Sequence, residues 1–408
     1  MYYVGIDWAD QKHDITILDH DGNVVVKGLT IRKNYAGFEQ LLARLQSLSD
    51  RPQDFKIGIE TPHNLLVDFL YDHGYAVFTL FPGAMRSFRI RYRASGARDD
   101  VFDAFVLANV VRNDPLCWRP VEFGSEVIRE IRLLVRDQHA LQQVYVLWNN
   151  SLRSALKDYY PEYIHFFNDV ACPTSLEFLD SYPTFESARH LSQEQLTRFF
   201  HKQHFYNRKR VNKIYDLLQQ KHLHVAPVLI RAREFKALMC AENLKRVAKD
   251  LHLYELRLKE LVEDHPDGQL FMSFPGVSYL TAARLLAMFG ENRDLYSDVS
   301  PLQGMAGTCP VTDRTGENRR GPIYFRRQCN KLYRDISHNL AFSSLRQATW
   351  ALVYYRHHRA RGKTHSHALR CLANLNLRIL FAMWKTRTHY QEQIYLAQKA
   401  RHGLTNQK

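Results

Sequence analysis

YYVGIDWADQKHDITILDHDGNVVVKGLTI, residues 2–31, decides the fold. Its opening, YYVGIDWA, reads as a strand. HDITILDHDG alternates apolar and polar residues and ends on Asp21-Gly22, a hairpin turn signal. NVVVKGLTI reads as a third strand. Three strands in succession, the first two joined by a short link and the next two by a tight turn, give an antiparallel start. Asp7 closes the apolar part of the first strand, inside Gly5-Ile6-Asp7.

Working outward, YAGFEQLLARLQSLS carries helical spacing at Phe38, Leu41, Leu42 and Leu45. DFKIGIETP is a fourth strand. A helix through NLLVDFLYDHG follows, with Gly74 as its stop. YAVFTLFP is a fifth strand, and VFDAFVLANVVR is helical again. Three antiparallel strands followed by alternating helices and strands is the order of an RNase-H-like (RuvC-like) α/β domain. Many doubly wound folds begin instead with a βαβ unit.

Residues 125–265 read as mostly helical. Between Phe235 and Val262, apolar residues fall at Ala237, Cys240, Leu244, Val247, Leu251, Tyr254, Leu258 and Leu261. These alternating steps of three and four make a heptad seam. It suits either one arm of an intramolecular helical hairpin or a coiled coil between two chains. His265-Pro266-Asp267-Gly268 breaks the pattern. SFPGVSYLTAARLLAMFG then reads like a helix-hairpin-helix, a turn able to set backbone N–H groups against a DNA phosphate. The expected division is 1–150 for the α/β domain, 151–268 for a helical linker and coiled coil, and 269–408 for a basic, mainly helical C-terminal domain.

The chain has 408 residues, 45% of them hydrophobic, enough for two or three domains with real cores. No apolar run approaches the length of a membrane span, which predicts no membrane partner. MYYVGIDWA reads straight into a strand with no basic leader, so a cytoplasmic, nucleoid-associated protein is expected. The six cysteines form no CxxC pair, which fits reduced thiols better than disulfides or a zinc site. Residues 305–408 hold 19 Lys and Arg against 4 Asp and Glu, whereas the whole chain holds 56 against 42. The +14 net charge therefore resides in the last quarter. Concentrated positive charge interleaved with aromatics is the footprint of a nucleic-acid partner.

Four acids stand where this fold would gather them. Asp7 and Glu60 end the first and fourth strands and are neighbours if those strands pair. Asp100 and Asp103 are three residues apart at a helix start and share a face. Clustered carboxylates repel and raise one another's pKa values. A hard divalent cation relieves that repulsion and prefers oxygen ligands. Asp10, Asp14 and Asp99 read instead as turn or cap residues.

PVTDRTGENRRG, residues 310–321, is a polar arginine-rich loop. Arg314, Arg319, Arg320, Arg326, Arg327, Lys331 and Arg334 are the candidate phosphate contacts, arginine offering bidentate geometry. Thr315, between Arg314 and Gly316, could be a helix cap, a phosphate contact or a nucleophile.

GIDWA, the GIE strand, RDDVFDAFVLA, the PGVS turn and GTCPVTDRTG…RRQCNKLYRD together resemble the DEDD transposases of the bridge-RNA-guided insertion-sequence family. The similarity runs in order along nearly the whole chain and is weakest in the middle helices. It implies a RuvC-like domain, a coiled coil that aids oligomerisation, and a C-terminal transposase domain. It implies that Asp7, Glu60, Asp100 and Asp103 hold magnesium, with manganese as the alternative ion. It places the family's nucleophilic serine, of a Ser-Gly pair, at Thr315-Gly316. Threonine keeps the hydroxyl but is β-branched, with fewer χ1 rotamers and a more crowded approach. No serine lies between Ser300 and Ser337 to substitute for it. The resemblance further implies double-stranded donor and target DNA, a structured noncoding guide RNA and a homo-oligomer, dimer or tetramer. The expected activity is DNA strand transfer through a covalent hydroxyl-linked intermediate. The rival readings are a site-specific invertase of the same family, a RuvC-like nuclease using water, and a nucleic-acid-binding protein without catalysis.

Overall fold

Strand β1 (Tyr2–Trp8) pairs antiparallel with β2 (Lys12–Leu18), which pairs antiparallel with β3 (Val24–Arg32) in this computed structural model. The turn expected at Asp21-Gly22 forms, with Gly22 at φ +94°. After α1 (Tyr35–Gln46) the chain returns as β4 (Phe55–Ile59), parallel to β1 on its other side. Helix α2 (Leu65–Asp72) leads to β5 (Ala76–Thr79), parallel to β4. The sheet order is β3-β2-β1-β4-β5. Helices α3 (Pro82–Tyr92) and α4 (Asp100–Asn113) complete this part. The structure describes residues 1–60, 65–80, 82–92, 99–114, 120–312, 323–394 and 396.

Alternation along the strands sorts side chains to two faces. Val4, Ile6, Ile57 and Ile59 pack with Phe38, Leu41 and Leu45 of α1 and Leu66, Val67 and Leu70 of α2. On a second core, Phe78 and Leu80 pack with Met85 of α3 and Phe102, Val106, Leu107, Val110 and Val111 of α4. The parallel strands are thus covered on both faces, as parallel pairing favours.

The chain divides into two compact units, Met1–Phe123 and Gly124–Lys408. The second is helical: α5 (Glu126–Tyr159), α6 (Pro173–Ser181), α7 (Phe185–Arg189), α8 (Gln193–Lys202), α9 (Arg208–Leu218) and α10 (Pro227–Glu263). It continues with α11 (Pro266–Met272), α12 (Tyr279–Phe289), α13 (Ser300–Met305), α14 (Lys331–Gln347), α15 (Thr349–Ala360) and α16 (His365–Thr386). A two-stranded ladder, β6 (Val311–Thr312) with β7 (Ile323–Tyr324), precedes α14. Residue 150 lies inside the unbroken α5.

The heptad seam meets α5 of the same chain. Leu258, Leu261 and Val262 pack with Ile128, Ile131 and Val135, while Ala237, Cys240 and Leu244 pack with Leu152, Ala155 and Leu156. The two helices therefore run antiparallel, and the seam serves an intramolecular hairpin. At the PGVS turn, Gly276 has φ +88°, and a Cβ there would fall 2.9 Å from the backbone of Ser343 and Ser344. Its N–H donates to Gln347 Oε1 at 2.8 Å, and Ser278 caps α12 by accepting from Thr281 N. Helices α11 and α12 flank this turn. Two of the N–H groups that a phosphate would use there are given to the protein's own side chains.

Candidate active site

The sequence Gly-Ile-acid occurs at 5–7 and again at 58–60, and the sheet aligns the two copies. Gly5 pairs with Gly58 and Ile6 with Ile59, so Asp7 and Glu60 follow side by side. Both isoleucines enter the core beneath α1 and α2. Both glycines face the other way, where α4 crosses. A Cβ on Gly5 would stand 1.8 Å from Ala104 O and 2.5 Å from Ala108 N. A Cβ on Gly58 would stand 2.6 Å from Val111 Cγ2 and 3.0 Å from Leu107 O. Only glycine allows this approach. The acids two residues after or beside these glycines share their face by strand alternation, and that face carries α4, whose first turn holds Asp100 and Asp103.

Asp99 caps α4, its side chain accepting from Val101 N at 3.2 Å, as expected of a cap residue. Asp14 is buried and accepts from Thr30 Oγ1 at 2.5 Å, also a structural role. Asp103 is buried in the underside of α4. The Asp7 carboxyl is pushed up to about 7, first by burial and then by the negative charges of Asp103, Asp100 and Glu60. The four acids thus lie within one another's field, as the strand pairing requires.

One cation reaches them that the sequence did not announce. Arg89, on α3, donates from Nε to Asp103 Oδ1 at 2.6 Å and from Nη2 to Glu60 Oε1 at 3.1 Å. Its available signal was a helical stripe, Met85, Phe88 and Tyr92, which joins the core against α4. Reading that stripe would have turned Arg89 toward the acids. An all-carboxylate donor set with unrelieved repulsion fits a hard divalent ion in chemistry. Among the described residues, however, no three His, Cys, Asp or Glu groups are arranged to hold a metal ion. Two of the four acids are engaged by Arg89 instead.

Of the basic residues, Arg326, Arg327, Lys331 and Arg334 lie in the segment entering α14, with Lys331 its first residue. Arg326 Nε is buried with no hydrogen-bond partner among the described residues, and Arg334 is 3.7 Å from Asp335. Arg314, Thr315, Arg319 and Arg320 lie outside the described residues. The β6–β7 ladder joins the two ends of their segment. Sequence reasoning passed over Arg370, which stacks on Phe325 at 3.8 Å. His338 is held below its ordinary pKa by burial and then by Arg370 and Arg334. His367 is lowered by burial and then by Lys363 and Arg370. Arg334 on α14, Lys363 just before α16 and Arg370 on α16 supply the positive charge around these two histidines. The signal was HALRC following RGK, basic residues with helical spacing.

Comparison with known proteins agrees with both halves. A DEDD-type model described as "Transposase" matches residues 4–161, and one described as "Transposase IS116/IS110/IS902 family" matches residues 268–356. Both stretches of the chain match transposase domains of this family. Its relatives include the mini-circle putative transposase for IS117 of Streptomyces coelicolor, 29% identical over 96% of this chain and 95% of the relative. The IS110 43.6 kDa protein of the same species is 26% identical over 73% of each chain. The IS900 42 kDa protein of Mycobacterium paratuberculosis is 22% identical over 95% of this chain and 96% of the relative. The first family match contains all four acids, and the second contains Thr315 and the candidate phosphate contacts. The transposase has no described helix long and apolar enough to cross a membrane.

Proposed function

We propose that this transposase cuts and rejoins DNA through a covalent intermediate on Thr315, with Asp7, Glu60, Asp100 and Asp103 as its metal-binding acids. The observation that carries the reading is the seating of α4 on Gly5 and Gly58, which gathers four carboxylates at one sheet end. The strand order β3-β2-β1-β4-β5, antiparallel and then parallel, supports an RNase-H-like domain. Magnesium, or manganese, held there would act as a Lewis acid on the attacking and leaving oxygens of an in-line displacement.

The chemistry assigned to the chain itself is defined. The Thr315 hydroxyl oxygen forms a bond to phosphorus, and the phosphorus–oxygen bond to the leaving strand breaks. The hydroxyl proton passes to a carboxylate or water, and the departing oxygen takes up a proton. A free hydroxyl is a weak nucleophile and requires such help. A later attack by a DNA hydroxyl on the Thr315 ester rejoins the strand and restores the threonine. Arg314, Arg319, Arg320, Arg326, Arg327, Lys331 and Arg334 hold phosphates of donor and target DNA. The charge excess of the last quarter supports this role. A structured noncoding RNA selects the sites by base pairing, the protein reading its shape and backbone. The protein acts as a homo-oligomer in the nucleoid.

A covalent trap tests the reading. Protein, RNA from the flanking region, labelled DNA ends and magnesium are mixed and then denatured. Wild type and Thr315→Ser should give a protein–DNA adduct, and Thr315→Ala none. Cleavage without an adduct, unchanged in Thr315→Ala, would make water the nucleophile.

A further inference from the structure

The charge balance at the four acids leads back to Arg89. Its guanidinium spans two acids from different elements, Glu60 just beyond β4 and Asp103 on α4. The arginine side chain is 21% exposed, Glu60 25% and Asp103 9%, so all three sit partly out of water. Ion pairs there are screened less than on an open surface. Helix α3 is held by buried Met85 and by Phe88 and Tyr92 against the α4 core. Its backbone is fixed, while the arginine side chain beyond Cβ keeps its rotatable bonds.

We propose that Arg89 is a resident counter-cation of the acid cluster, which a divalent cation must displace from Glu60 and Asp103 in order to bind. This rests on the reading of the acids as a metal site. A carboxylate oxygen turned to a guanidinium at 2.6 Å is not free to point at a metal ion. Arginine is not deprotonated in proteins. Arg89 therefore leaves the acids by competition between cations and not by losing its own proton. Arg89 supplies one positive charge against four carboxylates, so a doubly charged ion neutralises the cluster better. Arg89 thereby keeps the metal-free site together and lowers its apparent metal affinity. Displaced, its guanidinium stands beside the site with a free fork for a phosphate.

The test is Mn2+ binding to the full chain without nucleic acid, followed by the electron paramagnetic resonance signal of free Mn2+. Wild type, Arg89→Gln, Arg89→Ala, Arg89→Lys and the double variant Asp7→Asn with Glu60→Gln are compared after circular dichroism confirms folding. Arg89→Gln and Arg89→Ala should bind about tenfold more tightly, a step of the size one lost ionic contact sets. Arg89→Lys should fall between, because a point charge cannot bridge two carboxylates as a fork does. The double variant should lose binding. Mn2+ should also raise the thermal midpoint of Arg89→Gln more than that of wild type. Equal or weaker binding by both neutral variants, with wild type binding, would overturn the role of Arg89 and leave the metal site standing. No binding by any variant, the Arg89 ones included, would overturn the metal site and this inference with it.

Discussion

Asp7 stands under strong electrostatic conflict. Its folded pKa is raised from the ordinary 3.8 to about 7, by burial and by three neighbouring acids. The protonated form is thus favoured in the fold. The stability it contributes is fully present below about pH 4 and lost as pH rises through about 7. In metal-free buffer, the unfolding free energy of wild type should fall across that window. In Asp7→Asn the fall should be smaller by about 1–3 kcal/mol, and strand cleavage should vanish. Urea unfolding at several pH values, paired with a cleavage assay, checks both. Gly5 is the other decisive residue. Gly5→Ala drives a methyl into the backbone of α4 and should cost about 3 kcal/mol, the upper range for overpacking. Denaturant midpoints measure it. The Gly-Ile-acid repeats were legible in sequence as strand ends bearing acids. That their glycines seat a helix was not, because the contact partner lies about a hundred residues away.

At the scale of elements, α5 and α10 hold the second unit together. Leu244 is fully buried in their shared core, whereas Phe235 is 73% exposed. Leu244→Ala should cost about 2–5 kcal/mol and Phe235→Ser no more than about 0.5 kcal/mol. Thermal unfolding of the two variants separates the buried seam from the outer face. The heptad spacing was plain in the sequence. Its partner was open, since a period of 3.5 suits a neighbouring helix from either source. The chain's own α5 supplies it. A second joint binds α5, α11 and α12. His265 accepts from Asp267 N at its Nδ1 and donates from Nε2 to Glu291 at 3.1 Å. Glu291 also accepts from Ser125 N and Oγ. Burial pushes the Glu291 carboxyl up, but the hydrogen bonds from Ser125 and His265 outweigh it, and its pKa lies below the ordinary value. The stability it gives is present above the usual glutamate pKa, about 4.5, and lost as pH falls through the folded value. Glu291→Gln should be less stable than wild type at neutral pH, and the gap should close as pH falls through the lowered folded pKa. Parallel melts of the two proteins test this.

For the whole molecule, charge segregates along the chain. The first three quarters are nearly balanced and the last quarter carries the excess. Binding to DNA should therefore weaken steeply with salt, the logarithm of affinity falling by about 0.9 for each phosphate contact per tenfold rise. Alanine at Arg327 and Lys331 together should lower affinity and reduce that slope by about 2, with little dependence on sequence. Fluorescence anisotropy across a salt series reads both effects. A slope unchanged in the double variant would remove these two residues from the interface.

The sequence by itself determined the strands and helices whose apolar period is local, the caps such as Asp99, the acids at strand ends and the basic final quarter. Those features depend on residues a few positions apart, where backbone geometry fixes which side chains share a face. Tertiary structure alone decided that α4 would lie on Gly5 and Gly58, that Arg89 would bridge Glu60 and Asp103, and that the α10 seam would close on α5. Each of these joins distant parts of the chain through close packing or paired charge. Such contacts are chosen by shape and electrostatics in three dimensions, and local spacing carries no record of the partner.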